Sequence, residues 1–170
     1  YWYSHDEDGT FPNEFFMAMA KAGWLGIAMP EEFGGSGLGV IEATLLMQEV
    51  AYAGAMSAAS AIHINIFGPH AIVVHGSAEQ KARWLPGLIS GEWISCFGVT
   101  EPDVGLDTTR ITTRAEKDGK YYIINGRKIW TSTAQNASKM LLVARTSPLE
   151  ECANPIDGLS LFYTDLDRDY

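Results

Sequence analysis

The apolar positions along the chain change their period once. Up to about Ser90 they recur at the three-to-four-residue spacing of a helix face, and after Ser90-Gly91 they shorten into alternating runs bounded by turn residues, as strands do. Thr10 and Pro12 open the first helical run, because proline suits a first turn whose N–H has no partner to lose. Phe15, Phe16 and Met19 share a face, and Gly23 ends the run. Pro30 to Gly39 is too rich in glycine for a regular element. Val40 to Ala53 predicts a helix closed by Gly54, Ala55 to Phe67 a third, and Ala71 to His75 a short one after the Gly68-Pro69 break, closed by Gly76. Ser77 and Gln80 have the spacing of a capping box and open a helix through Lys81 and Leu88. Strands are predicted at Ile94 to Val99, at Ile111 to Ala115 and Lys120 to Ile124 around Asp118-Gly119, at Arg127 to Thr131 after Asn125-Gly126, at Met140 to Arg145 and at Leu159 to Thr164. Helices followed by strands predict an α+β protein, with a helical domain over 1–91 and a β domain over 92–170, rather than a βαβ sheet.

Composition narrows the partners. With 46% hydrophobic and 19% charged residues, the 170-residue chain has the makings of a packed core. Twelve basic against 21 acidic side chains give a net charge of -9, which repels phosphate backbones, so nucleic acid is not an expected partner. Cys96 and Cys152 stand far apart without metal-ligand spacing, so neither a disulfide framework nor a metal site is expected, and a reducing compartment fits best. The longest uncharged apolar stretches, Ala55 to Ile62 and Ala71 to Val74, are shorter than the ~20 residues of a membrane span. No signal peptide opens the chain, and both ends read as cuts through a longer protein.

The usual catalytic constellations are missing: no GxSxG elbow, P-loop or HExxH occurs, and Gly34 to Gly39 lacks the context of a dinucleotide fingerprint. It reads as an interhelical connection. Val99 to Asp107 ends a strand with Thr100 and turns at Pro102 and Gly105. By itself this fits both an anion-binding nest for a phosphate or flavin carbonyl and a plain turn. About twenty residues later comes Asn125-Gly126-Arg127-Lys128-Ile129-Trp130-Thr131-Ser132.

Taken together, PEEFGGSGLG, FGVTEPDVGLD, INGRKIWTST and MLLVART make the chain similar to the acyl-CoA dehydrogenase family over nearly its whole length. The resemblance implies a helical N-terminal domain, a β-barrel-like middle domain, and a C-terminal helical bundle missing from this chain. It implies FAD as cofactor, α,β-dehydrogenation of acyl-CoA thioesters, electron transfer to an electron-transfer flavoprotein, and a homodimer or homotetramer. The cytoplasm of a bacterium or the mitochondrial matrix is the expected location.

Residue by residue, Phe97, Val99 and Thr100 match positions facing the pyrimidine side of the flavin, where hydrogen bonds stabilise charge gathered on reduction. Trp130 matches the indole packed on the isoalloxazine, and read alone is a core tryptophan of a β-barrel. Ser132 matches the hydroxyl that reaches flavin N5, and read alone is a turn hydroxyl. Gly105 and Leu106 fall where the family has Gly-Ser with the Ser on the FAD pyrophosphate; Leu106 cannot donate that bond, and Val104 is bulkier than the usual residue. Glu101 belongs to the loop scaffold, and the catalytic Glu is expected in the missing C-terminal domain. Ser60, His63 and Phe67 match positions along the acyl tail, with His63 alternatively a core histidine. An acyl-CoA or nitroalkane oxidase and a noncatalytic flavin- or acyl-CoA-binding scaffold, the latter suggested by Leu106, are the competing readings.

Overall fold

The computed structural model describes residues 1–54 and 56–167; Ala55, where the third helix is expected to begin, and the last three residues of the expected β domain lie outside them. The helices are α1 (Trp2–Asp8), α2 (Asn13–Lys21), α3 (Val40–Tyr52), α4 (Met56–Phe67), α5 (His70–His75) and α6 (Ala78–Ile89). The strands are β1 (Ser95–Gly98), β2 (Arg114–Asp118), β3 (Tyr121–Asn125), β4 (Lys139–Arg145) and β5 (Leu159–Asp165). No helix follows β5 among the described residues.

Two apolar clusters hold the helical half. Phe16 and Ala20 of α2 meet Leu25, Ile27, Ala43 and, from α4, Ile62 and Ile66. Met29, Ile72, Leu85, Leu88 and Ile89 form the other. Full burial of one such large side chain is worth about 1.5–3 kcal/mol. The capping box forms as its spacing requires: Gln80 N–H donates to Ser77 Oγ (3.2 Å) and Ser77 N–H to Gln80 Oε1 (2.9 Å). Pro12 sits at the cap of α2, so that helix starts at Asn13. Helix α1 is not foreseen by the periodicity because it buries no residue. Edge-to-face contact of Trp2 with Phe15, centroids 5.1 Å apart, ties it down instead.

Counted through the Gly68-Pro69 turn, Met56–His75 reaches 20 residues and is long and apolar enough to cross a membrane by length and composition. Single stretches cut at polar residues miss this. One face of α4 is nevertheless spent inside the protein, with Ala58, Ala59, Ala61, Ile62, Asn65 and Ile66 buried.

The strands form one mixed five-stranded sheet. β5 pairs antiparallel along the whole of β4, from Lys139↔Asp165 to Arg145↔Leu159. On the other edge of β4 lie β1, parallel from Ser95↔Lys139 to Gly98↔Leu142, and then β2, touching at Arg114↔Arg145. β3 extends β2 as an antiparallel hairpin with Asp118 opposite Tyr121. The turn is therefore Gly119-Lys120, one residue beyond the expected Asp118-Gly119, and Gly119 takes the positive φ (58°) that the tight connection demands. β2 begins at Arg114 rather than Ile111, because the backbone of Thr112 and Thr113 is engaged elsewhere.

The expected strand Arg127 to Thr131 does not form. Trp130 and Thr133 take left-handed backbone conformations (φ 56° and 62°), which no strand accommodates. Asn65 joins the halves: it donates to the Trp93 carbonyl (2.8 Å) and accepts from the Ser95 N–H (2.9 Å). Trp84 of α6 also meets Tyr163 of β5 edge-to-face at 5.1 Å.

Candidate functional site

β1 leads out of the junction and sets the first wall of a cleft. Ser95 and Cys96 are buried, Phe97 is 40% exposed, and Val99-Thr100 continue past the strand end. The second wall is the irregular segment after β3. Gly126 starts it, packed so closely on Thr113 that a Cβ there would overlap the threonine side chain. The Ile129 N–H then donates to the Thr100 carbonyl (2.9 Å), so the two walls are tied at the peptide carrying the threonine hydroxyl. Trp130 follows, 85% exposed and at positive φ. A bulky side chain in that conformation costs on the order of 1–3 kcal/mol, and such strain collects where function requires it.

Phe97, Val99, Thr100, Trp130 and Ser132 line one cleft of about 280 Å³, which also receives His63 from α4. Five sequence-predicted positions from two segments thus converge. His63 Nδ1 lies 2.9 Å from the Ser60 carbonyl. A carbonyl only accepts, so Nδ1 carries the hydrogen, and in the neutral ring Nε2 is an acceptor. Ser60 itself faces a different cleft of about 610 Å³, walled by α1, the start of α4, Thr131 and Thr133 to Asn136. Phe67 is exposed at the end of α4. Gly105 and Leu106 are not brought to the cleft wall: Leu106 is fully exposed on a loop closed by reciprocal backbone bonds between Glu101 and Val104 (3.1 and 3.2 Å).

Glu101 is buried (4% exposed) and accepts from Thr112 N–H (2.7 Å), Thr112 Oγ1 (2.8 Å), Thr113 N–H (2.8 Å) and Lys128 Nζ (3.0 Å). Burial by itself raises a carboxyl pKa; the donors from Thr113, Thr112 and Lys128 outweigh it and hold Glu101 at about 2. A carboxylate so fully satisfied and so weakly basic is no proton acceptor, which agrees with its scaffold assignment. The role of Lys128 is not legible in the sequence. Its one signal is that it stands two residues before Trp130 in the same motif.

The cleft suits a planar aromatic ring system with polar edges. Two large aromatic side chains, Phe97 and Trp130, stand exposed on this one cleft, with the Thr100 and Ser132 hydroxyls beside them in the same wall. Exposed aromatic surface rimmed by polar groups marks a ligand site. The isoalloxazine of FAD has those properties.

Known proteins share both halves. Residues 1–92 match the family described as acyl-CoA dehydrogenase, N-terminal domain, and residues 96–169 the acyl-CoA dehydrogenase, middle domain. Mitochondrial isovaleryl-CoA dehydrogenase of Pongo abelii is 38% identical over 144 residues, 83% of this chain and 34% of the relative. The chain thus spans about a third of the length of the curated relatives it matches. Glutaryl-CoA dehydrogenase of Mycobacterium smegmatis, solved in complex with FADH2, superimposes with TM-score 0.81 at 31% identity, covering 96% of this chain and 40% of that one. A chain in the structure of the electron transferring flavoprotein of Acidaminococcus fermentans gives TM-score 0.82 at 28% identity, covering 96% and 42%.

Proposed function

This chain belongs to the acyl-CoA dehydrogenase family, and on that premise we propose that the whole protein binds FAD in the Trp130 cleft and dehydrogenates an acyl-CoA thioester between Cα and Cβ, passing electrons to an electron-transfer flavoprotein. The observation that carries the reading is the convergence of Phe97, Val99, Thr100, Trp130 and Ser132 on one cleft. Bound FAD supplies hydride acceptance, which side chains alone do not provide. The chain's own residues do the holding. Trp130 and Phe97 offer apolar ring surface, and Thr100 and Ser132 offer hydroxyl donors to the polar edge. His63, entering the same cleft from α4, adds a hydrogen-bonding group on the substrate side.

The proton at Cα needs a base. Glu101 is held ionised with every donor already placed, so the reading assigns that base to a carboxylate of the whole protein beyond this chain. A homodimer or homotetramer is the proposed working unit. Leu106 favours a second reading, a noncatalytic scaffold, since its exposed apolar side chain offers no donor to a phosphate.

One experiment separates these. The whole protein is loaded with FAD and mixed anaerobically with acyl-CoA thioesters of graded chain length, and the flavin band near ~450 nm is followed. Substrate-dependent bleaching is expected; retained flavin that no thioester bleaches leaves the scaffold reading. Trp130→Ala should lower the flavin-to-protein ratio, because an aromatic contact contributes roughly 0.5–1.5 kcal/mol beyond its area. An unchanged ratio and spectrum would remove Trp130 from the cofactor wall.

A further inference from the structure

Behind the Trp130 cleft, three segments distant in sequence meet at one buried ion pair. Lys128 Nζ donates to the Val99 carbonyl (2.9 Å) and to Glu101 Oε1 (3.0 Å), gripping the chain on both sides of Thr100. Ile129, the next residue, donates its N–H to the Thr100 carbonyl (2.9 Å), and Trp130 follows in its left-handed conformation. Glu101 is anchored in turn to Thr112 and Thr113, where the chain enters β2. A slip of one residue between the two walls would break all of these bonds together.

The pair is unlike an exposed ion pair. The Lys128 and Glu101 side chains are only 8% and 4% exposed, so neither charge has water to fall back on if the other is removed. Lys128 does not line the cleft itself. We propose that Lys128 is a positioning residue of the flavin site: by bridging Val99 and Glu101 it sets where the Thr100 hydroxyl and the Trp130 ring stand relative to one another, and so sets FAD affinity and the potential of the bound flavin. This deepens the flavin reading given above and rests on it.

The test compares wild-type whole protein with Lys128→Met and Lys128→Arg, all at a temperature well below the lowest Tm. Two quantities are read: the Kd for FAD, from flavin fluorescence, and the midpoint potential of the bound flavin. Lys128→Met should weaken FAD binding by about tenfold or more, as misplacement of a binding wall does, and should shift the potential. Lys128→Arg, which keeps the cation, should lie closer to wild type in both. A purely structural role predicts a lower Tm for Lys128→Met with Kd and potential equal to wild type, and that result overturns the inference while leaving the flavin site standing. Wild type that binds no FAD overturns the flavin reading and this inference with it. Should Lys128→Met fail to fold, Lys128→Gln, which removes the cation and keeps a polar group, carries the same two readouts, with the same deciding outcomes.

Discussion

In the helical half, the buried side chains are apolar ones such as Phe16, Leu25, Ile62 and Leu85, with Asn65 the buried polar residue there among the described residues. From Ser95 onward the buried set includes Ser95, Glu101, Thr113 and Arg145. Arg145 donates to the carbonyls of Ile111 (3.1 Å), Pro155 (3.2 Å) and Thr109, and Glu101 accepts from Thr112, Thr113 and Lys128. The contrast explains why the cofactor wall belongs mainly to the second region. Apolar packing is non-directional and tolerates small shifts. A buried charge with several fixed donors allows one geometry, because each lost bond leaves a desolvated group unpaired. The helical half provides bulk and, at the cleft, His63 and Ile64; the sheet half provides placement.

The largest effect expected from this contrast is at Glu101. Glu101→Ala leaves Lys128 and the Thr112 and Thr113 amides buried without their acceptor and should cost about 3–5 kcal/mol in denaturant unfolding. A loss below ~1 kcal/mol would erase the distinction between the regions.

Next in size is the acid response. Glu101 has a pKa of about 2 in the fold against an ordinary value of 4.5, so the folded protein favours the ionised form. Its contribution, roughly 3 kcal/mol at full strength, is present above pH 4.5 and is lost as pH falls from there toward about 2. Urea unfolding of Glu101→Gln should therefore depend less on pH in that window than wild type does. Identical slopes would mean that the carboxylate is not held by these donors.

The smallest effect should come from the apolar side. Ile62→Val removes one methylene from a wholly buried position and should cost only about 0.5–1.5 kcal/mol, with the flavin spectrum of the whole protein unchanged. A spectral change there would show that the helical core also positions the cofactor wall.

Periodicity and turn chemistry account for helices α2 to α6, for the five strands of the sheet, for the capping box at Ser77 and for a hairpin near Gly119, since each depends on residues a few positions apart. The motif around Trp130 likewise points to the acyl-CoA dehydrogenase family. Three things escaped. Helix α1 has no buried stripe to betray it. The segment after Gly126 reads as a strand by composition, yet the φ values of Trp130 and Thr133 forbid one. The span-length run Met56–His75 shows itself only when the Gly68-Pro69 turn is counted as part of one helical rod.

Local sequence therefore determined most elements of this protein, because helix caps, strand alternation and turn glycines act within a few residues, and the motifs shared with a known family identified the residues of its candidate site. Only the tertiary structure decided that Lys128, Glu101 and Thr113 share one buried network, that Phe97 and Trp130 open onto the same cleft, and that Leu106 stands apart from it. Those relations join positions 12 to 33 residues apart. Nothing in the chain's own spacing encodes such a meeting; it follows from how β1, β2 and β4 pair and from which charges must find partners once water is gone.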